Sequence, residues 1–183
     1  MGGKNIVVLA TLDTKGHEAQ YLRERIECAG DRATVVDTGV VGTPAAVADV
    51  TREAVAEAGG VPLPELLKDP DREVAAPVMA RGATEIVSGL VDKEEVHGIV
   101  SMGGTQGTTL STDVMRALPY GFPKVMVSTM ASGNVGPWVD IKDITMMFSV
   151  TDILGLNPFT KKILANAAGA VCGMANVEVA LER

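Results

Sequence analysis

An apolar run from His97 to Ser101 passes directly into Met-Gly-Gly-Thr-Gln-Gly-Thr-Thr-Leu, ending at Leu110. No other stretch narrows the possible folds as much. It reads as strand, glycine turn and helix start, and the unpaired N–H groups at such a helix start are a frequent seat for phosphate. Gly103, Gly104 and Gly107 let bare backbone approach an anion closely, and the hydroxyls of Thr105, Thr108 and Thr109 add donors. Met102 stands where a G-x-G-x-x-G fingerprint has its first glycine, and no G-x-x-x-x-G-K-[ST] occurs in the chain. The same spacing also suits a tight turn that only packs a helix against a sheet.

The rest of the chain repeats this grammar. Asn5–Ala10 is a continuous apolar run, suited to a central strand buried on both faces of a parallel sheet. After it, 11–18 reads as a polar loop, and Ala19, Leu22, Ile26 and Ala29 mark the apolar face of a helix ending at Gly30. In a parallel sheet that loop lies at the carboxyl edge, which makes Asp13, Thr14 and Lys15 site candidates. The alternative is that Asp13 or Thr14 caps the helix while Lys15 and His17 are solvated. Ala33–Val36 is a second strand, and Asp37 at its end suits either a ribose hydroxyl or a turn cap.

Thr43-Pro44 predicts a helix with Val47, Val50 and Val55 inward, ending at Gly59-Gly60. Val61-Pro-Leu-Pro64 breaks the chain, and a second helix is expected from about Asp71 to Leu90, kinked or divided by Pro77. Residues 43–95 thus form a helical embellishment on the sheet. Leu110, Val114 and Ala117 mark a helix stopping before Pro119, Lys124–Val127 a fourth strand and Ile144–Ser149 a fifth. Between the last two lies a second small-residue loop, Ser128 to Gly136, placed to face the same crevice. Asn157-Pro158 starts a final helix with Phe159, Ile163, Ala167 and Val171 inward, and Val177, Val179 and Leu181 resemble the start of another strand.

These elements predict a single three-layer α/β domain over 1–183, Rossmann-like or flavodoxin-like, with a mainly parallel five-stranded sheet in the order 2-1-3-4-5 and helices on both faces. Hydrophobic residues make up 46% of the chain but aromatics only 3%, which favours such a sheet over an aromatic-rich sandwich. A net charge of −7 argues against a nucleic-acid surface, because phosphate backbones demand a basic face. Apolar runs are broken before the roughly 20 residues of a membrane span, and no basic-then-apolar leader is seen, so a soluble protein without membrane association is expected. Cys28 and Cys172 are expected to be buried free thiols, which fits a reducing cytoplasm.

Taken together, Gly103–Thr108, Leu118–Asn134 and Asp143–Asp152 resemble the Tm-one-like ATP-binding domain family, a largely uncharacterised group named after a plant tobamovirus-resistance protein. Leu9–Gly16 and the Gly155-Leu-Asn-Pro helix start agree with it. Family members are about twice this long, so the chain resembles their N-terminal half, with a separate C-terminal-half subunit as one implied partner. The resemblance implies ATP as ligand. It implies that Gly103, Gly104, Thr105, Gln106, Gly107 and Thr108, the second loop (Thr129, Ala131, Ser132, Gly133 and Asn134), and Asp13, Thr14 and Lys15 face that nucleotide. Mg2+ is expected with the phosphates, although no acidic pair declares a metal site.

Two other readings stay open. One is half of a composite enzyme whose remaining groups come from the C-terminal half, since neither His17 nor His97 adjoins a nucleophile with an orienting acid in sequence. The other is an interaction domain, and Met130, Trp138, Met146 and Met147 near one end are compatible with a homo-oligomer. FMN also suits a flavodoxin-like sheet, but Trp138, Tyr120 and Tyr21 are the main candidates to flank its ring.

Overall fold

The computed structural model describes residues 3–68 and 72–179. In chain order the elements are β1 (Asn5–Ala10), α1 (Leu12–Cys28), β2 (Arg32–Asp37), α2 (Arg52–Ala58), α3 (Leu63–Leu66), α4 (Arg72–Asp92), β3 (Gly98–Gly103), α5 (Thr105–Ala117), β4 (Lys124–Ser128), α6 (Gly136–Val139), β5 (Thr145–Phe148) and α7 (Pro158–Ala175). The five strands are all parallel, in the expected order β2-β1-β3-β4-β5.

Period-two alternation explains the unbroken apolar strands. In β1, Ile6, Val8 and Ala10 enter one core with α1 and α7, while Val7 and Leu9 enter the other with α2, α4 and α5. The sheet is therefore the middle of three layers. β1 feeds α1 on one face and β3 feeds α5 on the opposite face. The chain reverses direction across the sheet between these neighbours, and the crevice at their carboxyl ends is where such sheets seat ligands.

Tertiary contacts overturn several local expectations. The polar stretch after β1 is not a loop: α1 begins at Leu12, whose side chain is fully buried and whose N–H donates to Asp37 Oδ1 at 3.0 Å. The cap thus comes from β2, 25 residues away, and neither Asp13 nor Thr14 supplies it. Residues 43–50 form no helix. Ala45 N–H donates to Leu12 O, Val50 N–H to Val35 O, and Asp37 N–H to Val50 O, so the segment lies along β2 with Val47 exposed. Its helix, α2, starts later, after Thr51, whose Oγ1 accepts from Ala54 N–H. Between α2 and α4 lies the short α3, giving three helices where two were expected.

α4 runs through Pro77 undivided, held by buried Ala75, Met79, Ala80 and Ala83 on its inner face; Asp71, its expected start, lies outside the described residues. Its segment Val74–Asp92, with mean hydropathy 1.2, is long and apolar enough by length and composition to cross a membrane. Arg81, Gly82, Thr84, Glu85, Ser88 and Gly89 interrupt its apolar positions, as expected from the sequence. In this fold the helix packs between α2 and α5. α7 has the predicted cap, with Asn157 Oδ1 accepting from Phe159 and Thr160 N–H, but Phe159 points outward and Leu164 takes its place in the core. Val177 and Val179 form no strand, and Leu181 lies outside the described residues. Cys172 is buried as expected; Cys28, on the outer side of the last turn of α1, is exposed.

Candidate functional site

A crevice of about 450 Å3 opens at the carboxyl ends of β1 and β3. One wall is the start of α1, with Thr11, Asp13, Thr14 and Lys15. The opposite wall is Gly103 to Gly107, where β3 turns into α5. Thr38, Val40 and Val41 close it from beyond β2. Ala76 and Met79 of α4 and Leu110 and Ser111 of α5 line its inner end, and Leu154 stands at its mouth.

The glycine wall is built for close approach. Gly104 is the N-cap of α5, extended, and offers no side chain to cap the helix. Thr108 N–H donates to Gly104 O at 2.8 Å, whereas among the described residues no group accepts from the N–H of Thr105, Gln106 or Gly107. These donors carry the positive end of a 13-residue helix. A Cβ on Gly103 would stand 3.0 Å from Gly107 Cα, so glycine there serves the packing of turn on helix. At Gly104 the nearest atom is Thr129 Oγ1 at 3.7 Å, so the bare backbone there is not demanded by packing.

Other candidates hold the turn together. Thr108 is fully buried, its hydroxyl 2.7 Å from Ser128 Oγ, while the Thr105 hydroxyl reaches Met130 Sδ at 3.4 Å. Gln106 is exposed. The second loop lies beside the crevice without lining it. Thr129 N–H donates to Gly103 O at 3.2 Å, Ala131 is half-buried, and Ser132, Gly133 and Asn134 are exposed, with Asn134 Oδ1 accepting from Gly136 N–H.

On the α1 wall both charges are engaged. Asp13 Oδ2 accepts from the N–H groups of Val41 and Gly42 at 2.7 and 3.1 Å, holding the segment after β2. Lys15 sits at a kink in the first turn of α1, with φ −128° and ψ 20°, and its Nζ donates to the Ile153 carbonyl. Thr14 Oγ1 pairs with Thr11 Oγ1 at 2.8 Å. Burial pushes the Asp37 carboxyl above its ordinary 3.8, the N–H groups of Leu12 and Gly39 on Oδ1 pull it back, and nearby Asp13 adds to the rise. Burial also lifts the Cys172 thiol to about 12, with Asp31 adding to it, which leaves it protonated and unreactive. Among the described residues no group of three or more His, Cys, Asp or Glu side chains is placed to hold a metal ion.

Residues 4–180 match the Uncharacterised protein family (UPF0261) N-terminal domain. The chain belongs to this family. A UPF0261 protein of Clostridium tetani is 46% identical over 171 residues, 93% of this chain and 42% of that protein. One from Rhizobium meliloti is 45% identical over 173 residues, 94% of this chain and 42% of its own length. The ToMV resistance protein Tm-1(GCR237) of Solanum lycopersicum is 36% identical over 103 residues, covering 56% of this chain and 14% of that protein. The chain thus spans about two fifths of the length of the curated family members it matches.

Local sequence pattern locates the two walls but not the inner end. Ala76 and Met79 arrive from a helix whose place is set by packing on α2 and α5, and nothing near them in the chain announces a site. Ser111 carried a usable signal: it is a polar residue on the inward face of α5, one turn past Gly107.

Proposed function

We propose that the crevice binds a nucleotide, with ATP as the ligand, its phosphates on the start of α5. One observation carries this reading: the three unpaired N–H groups of Thr105, Gln106 and Gly107 stand beside the bare backbone of Gly104 on a roomy crevice at the point where the strand order reverses direction. The apolar inner end, with Val40, Ala76, Met79 and Leu110, suits the uncharged part of such a ligand. Basic charge is sparse, since Lys15 is the only cationic side chain lining the crevice among the described residues. Mg2+ would travel on the phosphates, with water completing its shell, and Asp13 is the one carboxylate lining the crevice among the described residues.

Calorimetric titration with ATP, with and without Mg2+, tests this. Saturable binding by the native chain, weakened at least tenfold by Gly104→Val with the circular dichroism spectrum unchanged, supports it. No binding by the native chain overturns it.

A second reading draws on the matched length. Relatives continue well beyond the part this chain covers, which favours a composite site where the remainder brings catalytic groups to a nucleotide lying on these loops. Phosphate release by the chain joined to the rest of a relative, and not by the chain alone, supports that reading.

A further inference from the structure

Two buried serines give the inner end of the crevice a defined polarity. Ser101 Oγ, fully buried in β3, donates to Leu9 O at 2.7 Å, and a carbonyl can only accept. That bond uses the one proton Ser101 has. Ser101 Oγ is also 2.7 Å from Ser111 Oγ, so in this second contact Ser111 must be the donor. Its own proton is then spent, and Ser111 turns only lone pairs toward the crevice it lines.

We infer that Ser111 reads a hydrogen-bond donor on the bound ligand, a selectivity that rests on the nucleotide reading above. The surroundings sharpen the choice. Ser111 is 3% exposed and lies on the face of the sheet that carries Met79 and Leu110, so water competes poorly for it. A ligand oxygen carrying no hydrogen would meet lone pairs with no donor to satisfy it, whereas an O–H or N–H makes a bond. Ser111 lies four residues beyond Gly107, about 6 Å further along the helix from the N–H groups that take the phosphate. A nucleotide offers donors of two kinds at this side of the phosphate: the ribose hydroxyls and the base amino group.

The test compares ATP with three analogues that each lack one donor: 2′-deoxy-ATP, 3′-deoxy-ATP and the triphosphate of purine riboside, which has no amino group. Each is titrated into the native chain and into Ser111→Ala, with the fold checked by circular dichroism. The native chain should bind one analogue about five- to tenfold more weakly than ATP. Ser111→Ala should lose the same factor toward ATP and no longer distinguish that analogue from it. The identity of the disfavoured analogue tells ribose from base. If the native chain binds all four alike, or if its preference survives in Ser111→Ala, the inference is overturned while nucleotide binding stands. If ATP itself does not bind, both fall together.

Discussion

The Gly155 N–H donates to Glu18 Oε1 at 2.7 Å, joining the segment between β5 and α7 to the middle of α1 across 137 residues of chain. Glu18 is 3% exposed, and Lys15, one turn earlier, donates to the Ile153 carbonyl of the same segment. Leu154, between these two anchors, is exposed at the mouth of the crevice. The two α1 side chains therefore hold in place the segment that borders ligand entry. Replacing both, as Lys15→Met with Glu18→Ala, should lower the local opening free energy of 149–156 by about 2 kcal/mol while the sheet is little affected. Hydrogen exchange read by peptide mass gives the answer directly: faster exchange confined to that segment is expected, and unchanged exchange there refutes the anchoring role.

Asp37 carries a pH dependence whose sign follows from its raised pKa. Its folded value lies above the ordinary 3.8, so the stability it contributes is complete below that pH and is lost as pH rises through the folded value. Asp37→Asn keeps an oxygen to accept from Leu12 and Gly39 but cannot ionise. The variant should gain stability relative to the native chain as pH rises from about 4 to 7, measured by urea unfolding at each pH. Asp37→Ala leaves two N–H groups unpaired and should cost about 1–3 kcal/mol.

At the opposite edge of the sheet Lys124 is wholly buried, its Nζ 3.0 Å from Asp143 Oδ1 and 2.7 Å from the carbonyls of Pro119 and Phe122. Burial draws the Lys124 ammonium below its ordinary 10.5, and Asp143 opposes that. For Asp143 burial acts upward, but the bonds from Lys124 and the Gly121 N–H outweigh it and hold the carboxyl below 3.8. Because its folded value is depressed, the stability from Asp143 is present above pH 3.8 and lost as pH falls through the folded value. Asp143→Asn should cost about 1–2 kcal/mol at pH 7, a figure reduced because the Asp143 side chain is 42% exposed. That cost should shrink below about pH 4, and adding Lys124→Met should recover part of it at pH 7.

Two glycines of α4 should respond in opposite directions to the same change. A Cβ at Gly82 would stand 1.8 Å from Val55 O and 2.7 Å from Gly59 N, because α2 crosses α4 there backbone to backbone. Nothing lies within 4 Å of a Cβ at Gly89. Gly82→Ala should destabilise by more than about 3 kcal/mol or prevent folding, while Gly89→Ala should stabilise by roughly 0.5–1 kcal/mol through helix propensity. Thermal unfolding of both variants checks the pair, and equal melting temperatures would contradict the crossing geometry.

Strand positions, their parallel order and the helix start after Gly104 were legible in the sequence because their causes are local. Apolar runs short enough for strands, period 3.6 in the helices, glycines at a turn and the Asn157-Pro158 cap act over a few residues. The glycine wall of the crevice belongs to this class. Only tertiary structure decided where α1 begins, since its first N–H is taken by Asp37 from another strand. Likewise Thr43-Pro44 is a sound local helix start, yet residues 43–50 gain more by bonding to Leu12 and Val35 than about two exposed turns of helix return. Apart from the polar Ser111 on the inward face of α5, the inner end of the crevice was beyond local pattern for the same reason. Met79 and Ser111 come from helices 32 positions apart, and the proton order of Ser101 and Ser111 exists only once β1, β3 and α5 are packed together. Short-range propensity is written along the chain, whereas the groups that meet across it are chosen by packing.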